Sequence, residues 1–190
     1  EYVDKKYIEK FAENTAHQGV MAKMPSFGYS SVDEIIIYAK KRNEDPFLII
    51  LDEITDPHNL GSIIRTAEVA GCHGVIIPKH RACEVNATAI KTSAGAVFNI
   101  KIARVTNITT TINYLKEHNI WIYGACGEAS QTHTQANLKG PIGLVIGNEG
   151  KGISRLVREN CDQLIKIPMY GKTESLNASN AASILIYEVI

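Results

Sequence analysis

Residues 47–67 read Phe47-Leu-Ile-Ile-Leu51-Asp-Glu-Ile-Thr-Asp56-Pro57-His58-Asn59-Leu60-Gly61-Ser-Ile-Ile-Arg65-Thr-Ala67. The five apolar residues Phe47 to Leu51 show no alternation, so they suit a short strand buried on both faces. Asp56-Pro57 turns the chain, and a helix is expected from about Leu60 to Ala70. The same rhythm recurs downstream. Strands are expected at Gly74 to Pro78, Asn99 to Val105, Ile120 to Cys126, Gly143 to Gly147 and Gln163 to Met169. Helices are expected at Glu84 to Thr92, Thr106 to His118, Ser154 to Asn160 and Leu176 to the C-terminus. Upstream, Ser31 and Glu34 form a capping box for a helix over Val32 to Arg42. Strands of near-continuous β-branched residues alternating with helices predict an α/β domain, a mostly parallel sheet with helices on both faces. Residues 1–30, polar and rich in Gly, Ser and Pro around Met24-Pro25-Ser26-Phe27-Gly28, read as a linker or domain tail, which leaves 31–190 for the α/β domain.

The 190 residues, 45% hydrophobic and 21% charged, suffice for one core with a small appendage. The longest apolar runs are far too short to span a bilayer, and no charged start leads into an apolar segment. Cys72, Cys83, Cys126 and Cys161 are scattered without close pairs, which points to reduced thiols in a cytoplasmic protein. The histidines show no metal-ligand spacing, so no metal is expected. Net charge is zero, whereas proteins that grip nucleic acid through phosphates usually carry excess Lys and Arg. Composition alone leaves function open.

In parallel sheets ligands gather at the carboxyl ends of strands, and three loops there are unusual. In Asp56 to Ala67, Asn59 is placed as an N-cap and Gly61 lets another backbone come close. Arg65 follows in an otherwise apolar helix. It either pairs with Glu68 or a neighbouring acid, or directs its planar fork at a phosphate or ribose. The second loop is Gly147-Asn148-Glu149-Gly150-Lys151-Gly152. It has neither G-x-G-x-x-G nor P-loop spacing, and Glu149 sits where an anion would lie. A cationic or neutral polar ligand suits it better, and a plain tight turn is the bland alternative. The third, Ile167-Pro-Met169-Tyr-Gly-Lys-Thr-Glu-Ser175-Leu176-Asn177-Ala-Ser-Asn180, opens a helix. Ser175 alone can be an N-cap, but Asn177, Ser179 and Asn180 add short polar groups that disfavour helix and need partners. Such a cluster suits a small polar ligand or a substrate hydroxyl.

In this order, each at a strand end, Asp56 to Arg65, Leu144 to Gly152, and Ile167-Pro-Met with Ser175-Leu-Asn177 resemble the three signature motifs of the SpoU (TrmH) family of RNA 2′-O-methyltransferases. The likeness covers residues 46–190. His17-Gln18-Gly19-Val20-Met21-Ala22 is also similar to the junction after the small substrate-binding domain of bacterial 23S rRNA guanosine 2′-O-methyltransferases. That implies a further N-terminal domain whose tail is residues 1–30. The resemblance implies a C-terminal trefoil knot, which fold rules treat as a rarity, a homodimer, and S-adenosylmethionine held in the knotted loops. By motif position the cofactor would meet Gly147, Ile167, Met169 and Leu176, with the loop around Tyr123 to Gly127 completing the pocket. Arg65, Asn59, Glu149, Ser175 and Asn177 would form the polar catalytic set. The implied reaction carries a methyl group to a ribose 2′-hydroxyl, the group that distinguishes RNA from DNA, with rRNA favoured over tRNA. The family usually has Val where Thr173 and Ala178 stand. Lys91, Lys101, Arg104, Lys151, Arg155 and Arg158 can join a basic face. The alternatives are a tRNA ribose methyltransferase, a knotted base methyltransferase, and a catalytically silent RNA-binding protein on the same scaffold. The failed glycine spacing argues against a dinucleotide-dependent dehydrogenase.

Overall fold

Runs of Ile, Val and Leu bounded by turn residues form the sheet, as their preference for a pleated, packed surface requires. The computed structural model describes residues 1–11, 19–21 and 26–190. The elements in chain order are α1 (Lys5–Glu9), α2 (Val32–Lys41), β1 (Phe47–Leu51), α3 (Pro57–Val69), β2 (Gly74–Pro78), α4 (Ala87–Thr92), β3 (Lys101–Val105), α5 (Ile108–Glu117), β4 (Trp121–Ala125), β5 (Gln131–Thr132), β6 (Ile142–Ile146), α6 (Arg155–Asn160), β7 (Gln163–Lys166) and α7 (Ala178–Val189). Their sheet runs β3-β2-β1-β6-β4-β7-β5, and every pairing between these strands is parallel.

β1 explains its own lack of alternation. Leu48 and Ile50 pack with Ile35, Ile36, Ile112 and Leu115 on one face, while Phe47, Ile49 and Leu51 pack with Leu60, Ile63, Ile64 and Leu185 on the other. Helices cover both sides, so all five residues are buried.

Where the elements differ from expectation, capping and turns account for the shifts. Asp56 caps α3, its side chain accepting from the His58 N–H at 3.1 Å, with Pro57 in the first helical position. Asn59, expected as the cap, therefore lies inside the first turn with its amide free to work elsewhere. Asn86, Asn107 and Asn177 cap α4, α5 and α7, which start later than expected. A single 3-10 turn, Ala96–Phe98, delays β3 to Lys101. β7 ends at Lys166, just ahead of Pro168, which has no N–H to donate. β5, two polar residues long, has no periodic signal and was not expected.

Part of the segment read as linker is attached to the domain. Ser30 N–H donates to the Ile102 carbonyl at 2.8 Å, and the Tyr29 hydroxyl accepts from Val85 N–H at 3.0 Å. Ile8 of α1 is buried. His17, Gln18, Ala22 and Met24-Pro25 lie outside the described residues. Among the described residues no helix is long and apolar enough to cross a membrane, and no cluster of metal-ligating side chains occurs. All four cysteines are free thiols.

Candidate functional site

The strand β6 delivers the chain to Gly147, over which the next residues fold back. A Cβ at Gly147 would stand 2.2 Å from the Gly152 carbonyl carbon, so only glycine fits there. Asn148 and Gly152 exchange two backbone hydrogen bonds of 3.0 and 2.8 Å, and Gly152 adopts a φ of +66°. Asn148 Oδ1 accepts from the Gly150 and Lys151 N–H groups, while its Nδ2 donates to the Glu53 carbonyl at 3.1 Å. The loop is thus an ordered turn tied to the segment after β1.

That turn directs Glu149 toward the other two loops. Its Oε1 accepts from Asn59 Nδ2 at 2.8 Å, Asn177 Nδ2 at 2.5 Å and the Ala178 N–H at 3.2 Å. Asn177 Nδ2 also donates to Asn59 Oδ1 at 2.9 Å. Asn177 Oδ1 caps α7, accepting from the N–H and Oγ of Ser179 at 2.9 and 2.6 Å. Asn177, not Ser175, is therefore the N-cap. One carboxylate and two amides knit the three loops together, and charge-assisted bonds of this kind are the stronger class.

Beside this cluster opens a cleft of about 630 Å³, walled by Ile146, Ile165, Ile167, Leu176 and Leu185. All five residues expected to meet a cofactor, Gly127, Gly147, Ile167, Met169 and Leu176, line it. Of the expected catalytic set, Glu149 and Ser175 line it as well. Asn59 and Asn177 stand behind Glu149 as its hydrogen-bond donors. Arg65 is exposed on α3 outside the lining, and its side chain has no hydrogen bond or ion pair among the described residues. The pairing with Glu68 does not form. The size and apolar walls suit a small organic ligand, and Glu149 suits a cationic centre in it. These features fit S-adenosylmethionine.

Of the basic side chains expected on one face, Arg104, Arg155 and Arg158 are paired with Glu84, Glu159 and Glu128 at 3.0, 2.8 and 2.8 Å. Lys91, Lys101 and Lys151 have no ion pair among the described residues. One contributor is not singled out by the sequence: buried Asp52 accepts from the Ser154 N–H at 2.7 Å and so anchors the start of α6. Position is its signal, directly after a buried strand at the carboxyl end. Cys126, inside the expected Tyr123 to Gly127 loop, lines the cleft.

Comparisons with known proteins place the chain among relatives. The SpoU rRNA Methylase family matches residues 46–187. YacO of Bacillus subtilis, a protein of the TrmH family, is 47% identical over all of this chain and 76% of its own length. The 23S rRNA (guanosine-2′-O-)-methyltransferase RlmB of Escherichia coli is 44% identical over 98% of this chain and 76% of its own. Among solved structures, the SpoU methyltransferase AviRb of Streptomyces viridochromogenes in complex with AdoMet superposes with a TM-score of 0.72 at 32% identity. That match covers 76% of this chain and 57% of AviRb. With its three motif loops tied together beside one cleft and its sequence matched over nearly the whole α/β domain, the chain belongs to the SpoU rRNA methylase family.

Proposed function

We propose that this protein transfers the methyl group of S-adenosylmethionine to a ribose 2′-hydroxyl of RNA, with 23S rRNA as the substrate. The observation that carries the reading is the Asn59–Glu149–Asn177 network, which joins the three motif loops beside a cleft lined by every expected cofactor residue. The bound cofactor supplies a methyl group on a sulfonium, already a good leaving group. The protein's task is then alignment of the acceptor and help with its proton. Gly147, Ile167 and Leu176 hold the cofactor, largely through backbone groups. A guanidinium makes a poor base in proteins, so the role given to Arg65 is electrostatic. It fixes the target phosphate and stabilises negative charge on the 2′-oxygen, whose proton leaves to a phosphate or water. Ser175, with no protein partner for its hydroxyl among the described residues, orients the ribose. Asn177, whose amide is fully engaged, acts by positioning, as do Asn59 and Glu149.

The choice of 23S rRNA rests on the RlmB relatives and on residues 17–22, of which only Gly19, Val20 and Met21 are described. We read the protein as a cytoplasmic homodimer with a knotted C-terminal segment and a further substrate-binding domain upstream. Val69 on α3 and Ile184 and Tyr187 on α7 are exposed apolar residues on two helices joined by a Thr66–Ser183 hydroxyl contact of 3.2 Å. Arg65 lies one turn from Val69, so pairing of two copies through this side would bring it to the interface. Replacing Arg65 with Ala should cut methyl transfer at least a hundredfold and leave cofactor affinity, measured by calorimetry, within about twofold of wild type. Loss of cofactor binding in that variant would defeat the assignment.

A further inference from the structure

A second groove, of about 450 Å³, lies at the opposite edge of the sheet from β5, between residues 26–30, Tyr38 of α2 and the start of β3. Three aromatic rings line it. Phe27 and Phe98 have centroids 6.4 Å apart, and Lys101 Nζ stands 5.6 Å from the centre of the Tyr38 ring. Ser30 and Asn99 add a hydroxyl and an amide. The 3-10 turn before β3 sets this up by turning Phe98 outward, 53% exposed, while its neighbour Val97 is buried at 1%. The aliphatic residues of the groove, Val97, Ile100 and Ile102, all belong to the core and offer a ligand almost no surface. A ligand meets π-faces, an ammonium and an amide instead. The centres of protein–protein interfaces are depleted in Lys, whereas single-strand nucleic-acid sites combine aromatic platforms with cations.

We propose that this groove binds an unpaired nucleotide of the RNA substrate, away from the site of methyl transfer. Phe98 and Phe27 stack its base, Asn99 meets the base edge, and Lys101 meets a phosphate. The proposal rests on the RNA reading above. The groove opens at the amino end of β3 and the cofactor cleft at the carboxyl ends of β4, β6 and β7. Four strand spacings and one strand length separate them, on the order of 25 Å. No single nucleotide reaches both, so the bound RNA extends well beyond the nucleotide that is methylated. Arg42, also 5.6 Å from the Tyr38 centroid, is held by Glu44, and Glu34 lies near Lys101. Stacking, more than net charge, therefore sets the affinity.

The test titrates the full chain with fluorescently labelled fragments of unmodified 23S rRNA and measures cofactor affinity in parallel. Phe98→Ala should weaken RNA binding roughly tenfold and raise KM for RNA, with kcat and cofactor affinity unchanged. Phe98→Tyr, which keeps a ring, should restore the affinity, and photocrosslinks from 4-thiouridine RNA should map to the Phe27 or Phe98 peptides. Equal RNA affinity in wild type and Phe98→Ala, with RNA methylation intact, would overturn the groove alone. It is also the result expected if the groove seats protein. A wild-type chain that binds the cofactor but methylates no RNA would overturn the proposed reaction, and the groove with it.

Discussion

A single carboxylate oxygen, Glu149 Oε1, receives hydrogen bonds from residues 90 and 28 positions away in sequence. Removing its charge tests whether that network holds the site. Glu149→Gln keeps the shape but weakens the acceptor, or turns an NH₂ toward two amide donors. It should lower the unfolding free energy by about 1–3 kcal/mol in a denaturant titration. An unchanged midpoint would mean that the loops are held by other contacts. At this scale the sequence was half legible. The sign of Glu149 marked the loop as wrong for phosphate, yet no local pattern names partners so distant. Asn59 shows the limit plainly. It has an N-cap's composition, but Asp56 ahead of Pro57 takes the cap and leaves the Asn59 side chain for Glu149. Asn177 and Ser175 competed in the same way, and which caps α7 depends on contacts that sequence spacing does not contain.

Among the elements, the turn from Gly147 to Gly152 has the tightest steric demand. The added Cβ of Gly147→Ala would overlap the Gly152 carbonyl at 2.2 Å and force the turn open. We expect cofactor affinity to fall more than tenfold, because the displaced backbone lines the cleft, while the far-UV circular dichroism of the sheet stays unchanged. An alanine variant that binds the cofactor normally would show that the turn has room to relax. Strands and helices themselves were readable, since unalternated Ile, Val and Leu runs have few other places to go than a doubly covered sheet. Their ends were less readable. Asn86 and Asn107 start helices two or more residues later than the apolar periodicity suggests, because capping depends on backbone geometry at one residue. β5 has no periodicity to read and is held by pairing with β7.

For the whole molecule, the parallel sheet followed from the alternation of elements, but the order β3-β2-β1-β6-β4-β7-β5 did not. It depends on β6 entering between β1 and β4, a pairing of strands distant in the chain. The buried Cys72 thiol and the half-buried Cys161 thiol make one property of the whole fold pH-dependent. Burial first, and then the nearby Asp162 carboxylate, push the Cys161 thiol from its ordinary 9.0 to about 12, and burial raises Cys72 as well. The fold therefore favours the neutral thiols. Their contribution to stability is complete below pH 9 and is lost as pH rises toward 12. Denaturation midpoints should fall between these limits, and less steeply in Cys161→Ala; a flat profile would contradict the burial of these groups as ionisable thiols. The most direct measurement supplies labelled S-adenosylmethionine with unmodified 23S rRNA and with tRNA in separate reactions, followed by nucleoside analysis. A 2′-O-methylated nucleoside from 23S rRNA is the expected product; label on a base, or on tRNA alone, would contradict the proposed reaction.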